Sequence, residues 1–301
     1  MSTAYIFPGQ GSQYVGMGKD LFGQFPEAKK YFDSADSILG FSLSKICFEG
    51  PEEELKQTKN TQPAIFLHSV ALWYLLKPKD ASMVAGHSLG EYSALVAAEA
   101  ISFSDAITLV RLRGEMMQKA GIESPGTMAA IVGLDPKTVD EITQKASEAG
   151  VVQPANFNSP GQIVISGSVQ GVRKAMEFAK ERGAKLVKEL VVSGAFHSPL
   201  MQSAKDKLKE ALDKTEFHDA KVPVYANVTA RPVQKANEIR NLLFRQVTSP
   251  VRWEESVMNM AADGATKFIE VGPGKVLQGL VKRTVGSAEI SGFDKAADVR
   301  V

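Results

Sequence analysis

Cysteine is almost missing from this chain: Cys47 is the only one in 301 residues, so no intramolecular disulfide can form. A reducing compartment suits such a chain, and the cytoplasm is the expected location. Cys47 stands in KICFEG without a partner and reads as a small buried apolar residue rather than a nucleophile. Long hydrophobic runs are missing too. Nowhere do about 18 apolar residues follow one another, which argues against a membrane-spanning helix. The start, MSTAYIFPGQG, has no basic segment ahead of a long apolar one, so neither a secretory signal nor an Arg/Ser-rich transit peptide is expected. Charge of one sign is also lacking. Lys and Arg number 35 against 34 Asp and Glu, for a net charge of +1, so no global field favours nucleic acid or an anionic membrane. There is no HExxH and no Cys/His cluster with zinc spacing, so no metal is expected. Gly9-Gln10-Gly11 opens like a dinucleotide fingerprint, but Tyr14 stands where the third glycine belongs. GPGKVL lacks the spacing and hydroxyl of a phosphate loop, and no internal repeat is found.

What remains is a globular composition, 44% hydrophobic and 23% charged, long enough for one large domain with an insertion or for two domains. Helical and strand-like segments alternate, which points to the α/β class. Ala4 to Phe7 and Ser82 to Ala85 are short apolar runs suited to buried strands. Ala64 to Leu76 is apolar nearly all round and predicts a buried helix, and Leu89 to Glu99 predicts another. From Thr127 a strand, a helix capped by Asp135-Pro136, two strands joined by Asn158-Ser159-Pro160-Gly161, a helix capped by Ser168, and a strand over Lys185 to Val192 follow in turn. That β-α-β-β-α-β order is the ferredoxin-like pattern and predicts a small domain over 124–195, inserted into a larger one. A helix over 200–213, strands over 222–226 and 266–271, and a helix over 276–284 complete the reading, with the last dozen residues expected to be poorly structured.

Gly86-His87-Ser88-Leu89-Gly90 matches G-x-S-x-G between a predicted strand and a predicted helix. On so sharp a turn side chains two positions from the serine would collide, so both neighbours must be glycine. The turn exposes the Ser88 hydroxyl and sets the Leu89 N–H at a helix start, where it can meet an oxyanion. The pattern alone would also suit a mere turn. A nucleophilic serine needs a base. Of the four histidines, His68 lies inside the apolar helix and reads as a core residue, while His218 sits in the polar TEFHDAK. His87 is adjacent to the serine on the elbow and points away from it. His197, in the loop SGAFHSP that leaves the small domain, is the base by elimination.

With FPGQGSQ and RLRGEMMQ added, the chain resembles the malonyl-CoA:acyl carrier protein transacylases of fatty acid synthesis. The likeness runs through GHSLGEYSAL, GTMAAIVGL, NFNSPGQIVISG, SGAFHSPLM, ANVTA, RQVTSPVRW and FIEVGPGKVL. It implies an α/β-hydrolase-like catalytic domain over 1–123 and 196–301 with a ferredoxin-like insert over 124–195. It implies Ser88 as the residue that carries the malonyl ester and His197 as base. The backbone N–H groups of Gln10 and Leu89 would form the oxyanion hole, and Arg113 would bind the free carboxylate of malonate. Gln246 would orient the histidine through its main-chain carbonyl, in place of a carboxylate. Phe196 accompanies malonyl rather than methylmalonyl in related polyketide acyltransferases, and His87 is grouped with it and Arg113 on the substrate side. The guanidinium of Arg113 has the planar fork that suits a carboxylate.

The implied partners are malonyl-CoA, as substrate, and acyl carrier protein, with no cofactor, nucleic acid or membrane. Carrier proteins are usually acidic, and Lys185, Lys188, Lys282 and Arg283 are docking residues by charge alone. Three other readings stand beside this one. They are a serine thioesterase or hydrolase with water as acceptor, a polyketide-pathway acyltransferase with a related extender unit, and a docking protein that keeps the fold without the chemistry.

Overall fold

Short apolar runs closed by glycine or proline become strands. The computed structural model describes residues 2–299. Along them run β1 (Ser2–Phe7), β2 (Ala81–Gly86), β3 (Gly126–Val132), β4 (Val152–Ser159), β5 (Gln162–Ser168), β6 (Leu186–Glu189), β7 (Val224–Tyr225), β8 (Pro232–Val233), β9 (Val251–Arg252), β10 (Ala265–Val271) and β11 (Glu289–Phe293). The larger sheet has the order β11-β10-β1-β2-β7-β8, parallel throughout except for β8. Side chains alternate across a strand, and here both faces are covered. Tyr5 and Phe7 of β1 join one apolar cluster with the helix Thr58–Leu76; Ala4 and Ile6 join another with Trp253 and Leu277.

The smaller sheet has the order β6-β3-β5-β4-β9. Its first four strands are antiparallel and joined in the predicted β-α-β-β-α-β order. The helices Pro136–Ala146 and Val169–Glu181 start where expected, since Asp135 accepts from the Thr138 N–H and Ser168 from the Gly171 N–H. Their apolar faces, Val139, Ile142, Val172 and Ala175, bury Ile131, Ile163 and Ile165 of the sheet. β9 adds itself in parallel to β4, with Asn156 opposite Val251. The small sheet is therefore completed by residues 95 positions downstream of their partners on β4 (Asn156 to Val251).

Four expectations are corrected. The helix expected from Ala64 begins at Thr58, with Pro63 inside it. A proline at that place leaves the carbonyl four residues earlier without its helical donor, and the Arg111 Nη1 donates to that Lys59 carbonyl at 2.9 Å. The four-residue turn shrinks to Pro160-Gly161, because β4 runs on through Ser159. β6 stops at Glu189 rather than Val192. The last dozen residues are ordered where they are described: β11 pairs in parallel with β10, and Ala296 is buried. Glu289–Phe293 is an edge strand with no continuous apolar run, so its pairing partner is what makes it a strand. Arg300 and Val301 lie outside the described residues. No helix among the described residues is long and apolar enough to cross a membrane.

Candidate active site

β2 ends at Gly86 and the next helix, Gly90–Ala97, begins four residues later. Ser88 between them holds φ +52°, a left-handed conformation uncommon outside glycine and frequent at functional turns. The elbow leaves no room for side chains. A Cβ on Gly86 would lie 1.9 Å from the carbonyl of Gly90, and one on Gly90 2.2 Å from the carbonyl oxygen of Phe7. Gly86→Ala is therefore expected to destabilise the fold by roughly 3 kcal/mol or more, since the obstacle is backbone that cannot rotate away. Thermal unfolding should show a fall in Tm of about 5–10 °C; an unchanged Tm would mean that the elbow is looser than this geometry.

The Ser88 Oγ lies 2.7 Å from Nε2 of His197. On the other side of the ring, Nδ1 lies 2.9 Å from the main-chain carbonyl of Gln246. A carbonyl only accepts, so the proton is on Nδ1 and Nε2 is the free lone pair that accepts from the hydroxyl. Burial, with Arg113 adding to it, pulls the His197 pKa down to about 3. The ring is therefore neutral at physiological pH. The carbonyl of His197 accepts from the Gln153 Nε2 at 2.8 Å, which ties the loop to the smaller sheet.

Arg113 comes from the middle of the helix Phe103–Glu123 and is only 1% exposed. Gly114 beside it lets this helix touch the start of Thr58–Leu76, where a Cβ would sit 2.8 Å from the Thr58 carbonyl oxygen. That close approach brings Arg113 to Gln62. Nη1 donates to the Gln62 Oε1 at 2.7 Å, and Nη2 donates to the Gln246 Oε1 at 3.0 Å and to the Ser88 Oγ at 3.1 Å. Arg113 forms no salt bridge with any described residue, and its Nε has no hydrogen-bond partner among them. A buried guanidinium held by neutral amides, beside a nucleophile, has its charge available to an incoming anion.

Behind these groups lies a polar layer to which the sequence reading gave no role. The Ser88 N–H donates to the Asn227 Oδ1 at 2.7 Å, and the Asn227 Nδ2 donates to the Gly86 carbonyl at 2.7 Å. Glu91 is 2% exposed. Its Oε2 accepts from the Asn227 N–H at 2.9 Å and from the Gln246 Nε2 at 2.8 Å. Burial raises the Glu91 carboxyl to about 7 against the lowering effect of those two donors and of Arg113. Glu91 falls within GHSLGEYSAL and Asn227 within ANVTA, so their place in segments that carry the family resemblance was the available signal.

Ser88, His197 and Arg113 open onto a cleft of about 240 Å³ also lined by Gln10, Leu89 and Phe196. The Ser88 N–H is already engaged by Asn227, whereas those of Gln10 and Leu89 have no acceptor among the described residues. Phe196 is buried against the wall with Met117 and Met128. His87 borders the same cleft and is fixed, with Nε2 2.9 Å from the Asn158 Oδ1 and its ring against Trp253. Gln246 stands behind the wall. The other histidines lie elsewhere: His68 is buried with Nε2 2.8 Å from the Asp294 carbonyl oxygen, and His218 is exposed. Cys47 is buried, and burial pushes its thiol pKa up, away from reactivity. Lys185, Lys188 and Lys282 are exposed. Arg283 donates to Ser159 and Gln162 and so ties the helix Val276–Thr284 to the β4–β5 hairpin. Among the described residues, no group of three or more His, Cys, Asp or Glu could hold a metal.

The family model for the acyl transferase domain matches residues 4–299. The malonyl CoA-acyl carrier protein transacylase of Bacillus subtilis is 52% identical over 283 residues, covering 93% of this chain and 89% of the relative. The 1.7 Å crystal structure of an acyl carrier protein S-malonyltransferase from Vibrio cholerae superposes with a TM-score of 0.95 at 44% identity, over 99% of this chain and 98% of that one. A malonyl-transacylase solved in complex with its type II polyketide synthase acyl-carrier protein also gives 0.95, at 43% identity over 99% and 97% of the two chains. The chain therefore belongs to the acyl transferase domain family and, within it, to the malonyl-CoA:acyl carrier protein transacylases.

Proposed function

We propose that the protein transfers a malonyl group from malonyl-CoA to the phosphopantetheine thiol of an acyl carrier protein, through a malonyl ester on Ser88. The observation that carries this reading is Arg113: a buried guanidinium without a carboxylate partner, 3.1 Å from the hydroxyl that would receive the acyl group. A serine esterase has no use for a fixed cation there, whereas a malonyl group brings its own second carboxylate.

In the first half-reaction His197 Nε2 takes the proton of Ser88 as Oγ attacks the thioester carbon. The developing oxyanion is held by the N–H groups of Gln10 and Leu89. The C–S bond then breaks, and the coenzyme thiolate leaves with the proton from His197. In the second half the carrier thiol gives its proton to His197 and attacks the ester, and Ser88 recovers the proton as it departs. The Gln246 carbonyl keeps the imidazole in the required tautomer, the part a carboxylate plays in other triads. Every step uses protein groups and the two thiols, so the reading calls for no cofactor or metal. A cleft of about 240 Å³ lies below the usual range for ligand pockets, roughly 300–1,000 Å³. It suits a short acyl group and the tip of a thiol arm. Phe196 crowds the position that an α-methyl group would need, a discrimination of about 1–3 kcal/mol.

The parallel sheet with the elbow after β2 supports an α/β-hydrolase-like domain over 1–123 and 196–301, and the strand order β6-β3-β5-β4 supports a ferredoxin-like insert over 124–195. The relative solved with its carrier protein supports such a partner for this chain. Exposed Lys185, Lys188 and Lys282 are available to an acidic surface, while Arg283 is already engaged within the fold.

Rapid quenching with labelled malonyl-CoA alone tests the reading: label should appear on the protein in a one-to-one burst and pass to added carrier protein. Release of free malonate faster than transfer would favour the thioesterase. The pH profile of the burst provides a second test. With the His197 pKa lowered to about 3, the base stays neutral above that value, so the rate should not fall as pH drops through the ordinary imidazole range near 6.5. A half-maximal rate at about 6.5 would show that His197 titrates like a solvated histidine.

A further inference from the structure

Gln246 makes two different contacts with the site. Its main chain orients His197, and its side chain faces Arg113. A side-chain amide is nearly symmetric in shape, so something must decide which end meets the guanidinium. With Oε1 towards Arg113 an acceptor meets a donor. Turned over, the amide would set NH₂ against a guanidinium and Oε1 against a carboxylate and a carbonyl. The Nε2 end is bound at 3.0 Å to the Ser88 carbonyl oxygen and at 2.8 Å to the Glu91 Oε2. The Ser88 carbonyl also accepts the Glu91 N–H of the first helical turn. Glu91 is the one charged acceptor on that amide.

We infer that Glu91 is a positioning residue: by accepting from Gln246 and Asn227 on one oxygen, it fixes the Gln246 amide so that Arg113 is held over Ser88 and aimed at the carboxylate of the acyl group. The inference rests on the malonyl reading given above. Both bonds converge on Oε2, so an amide oxygen in the same place would serve equally well, and the negative charge is dispensable. The bonds also join the elbow to the base: Asn227 holds the Ser88 N–H, and Gln246 holds His197.

Two near-isosteric variants separate the bonds from the charge. Glu91→Gln keeps an oxygen at the convergence point and loses the charge. Glu91→Asp keeps the charge and withdraws the oxygen by one carbon–carbon bond, about 1.5 Å. The quantity to read is the ratio of kcat/KM for malonyl-CoA to that for acetyl-CoA, with holo carrier protein as acceptor. Acetyl has no second carboxylate and meets Arg113 only through its bond to the Ser88 hydroxyl, which both substrates share and the ratio cancels. Glu91→Gln should keep the ratio within about threefold of the parent, and Glu91→Asp should lower it about tenfold or more, the effect of one buried hydrogen bond lost. The opposite order, a ratio unchanged in both variants, or equal losses on both substrates would overturn the inference. A parent enzyme with no preference for malonyl would instead overturn the malonyl reading itself, and that is seen before either variant is made.

Discussion

Ser88→Ala is expected to abolish labelling by malonyl-CoA and to cut transfer to carrier protein by about 10⁴-fold or more, the scale found when an activated serine nucleophile is removed. The fold should survive. The Ser88 side chain bonds to His197 and Arg113, whereas the elbow is held by its backbone contacts to Asn227 and Gln246. Losing the hydroxyl therefore removes chemistry and leaves the geometry in place. Denaturation midpoints of parent and variant should agree within the error of the measurement. Alanine at φ +52° is strained much as serine is, so the backbone contributes nothing new to the difference. Trapped label on the variant, or transfer within tenfold of the parent, would place the acyl group on another residue or make the transfer direct.

Arg113→Ala is the second large effect, and it should act on substrate choice. With the guanidinium gone, the malonyl carboxylate would enter a closed cleft without a partner, at a cost of roughly 3–5 kcal/mol. That is a loss of about 10²–10³-fold in kcat/KM for malonyl-CoA. Acetyl-CoA brings no carboxylate and should lose far less, so the ratio of the two substrates falls with the malonyl rate. The variant also leaves the Oε1 atoms of Gln62 and Gln246 without their donor, so some stability is lost alongside. The substrate ratio separates the two effects, because a loosened fold slows both reactions together. Arg113→Lys should fall between, since an ammonium supplies the charge without the fork that spans two carboxylate oxygens. Equal losses on malonyl and acetyl thioesters would assign Arg113 to structure alone.

The elbow was legible because its constraint is local: two glycines, an apolar strand and a helix start all lie within one short stretch. The strand and helix order around the smaller sheet was legible for the same reason, through Asp135, Ser168 and apolar residues at helical spacing. His197 could be picked out because only four histidines compete and two of them sit in plainly unsuitable surroundings. The roles of Arg113, Gln246 and Gln10 came from resemblance to a family, since no local pattern marks a residue whose partner lies far along the chain. Glu91, Asn227 and Gln62 were passed over for that reason. Their bonds span 155, 139 and 51 positions. The same holds for β9 and β11, each of which becomes a strand only because an edge is offered to it.

β9 has a practical consequence for anyone recombining these enzymes. Segment 124–195 looks like a cassette in the sequence, with its ends close to the helix Phe103–Glu123 and to His197. Yet Val251 and Arg252 complete its sheet, the Arg252 N–H donates to the Asn227 carbonyl at 3.0 Å, and Gln153 grips the His197 backbone. A chimera that exchanged 124–195 alone would seat a foreign edge on a resident strand and loosen the histidine loop in the same stroke. The exchangeable unit is discontinuous, and a working graft has to carry its matching 246–253 stretch with it.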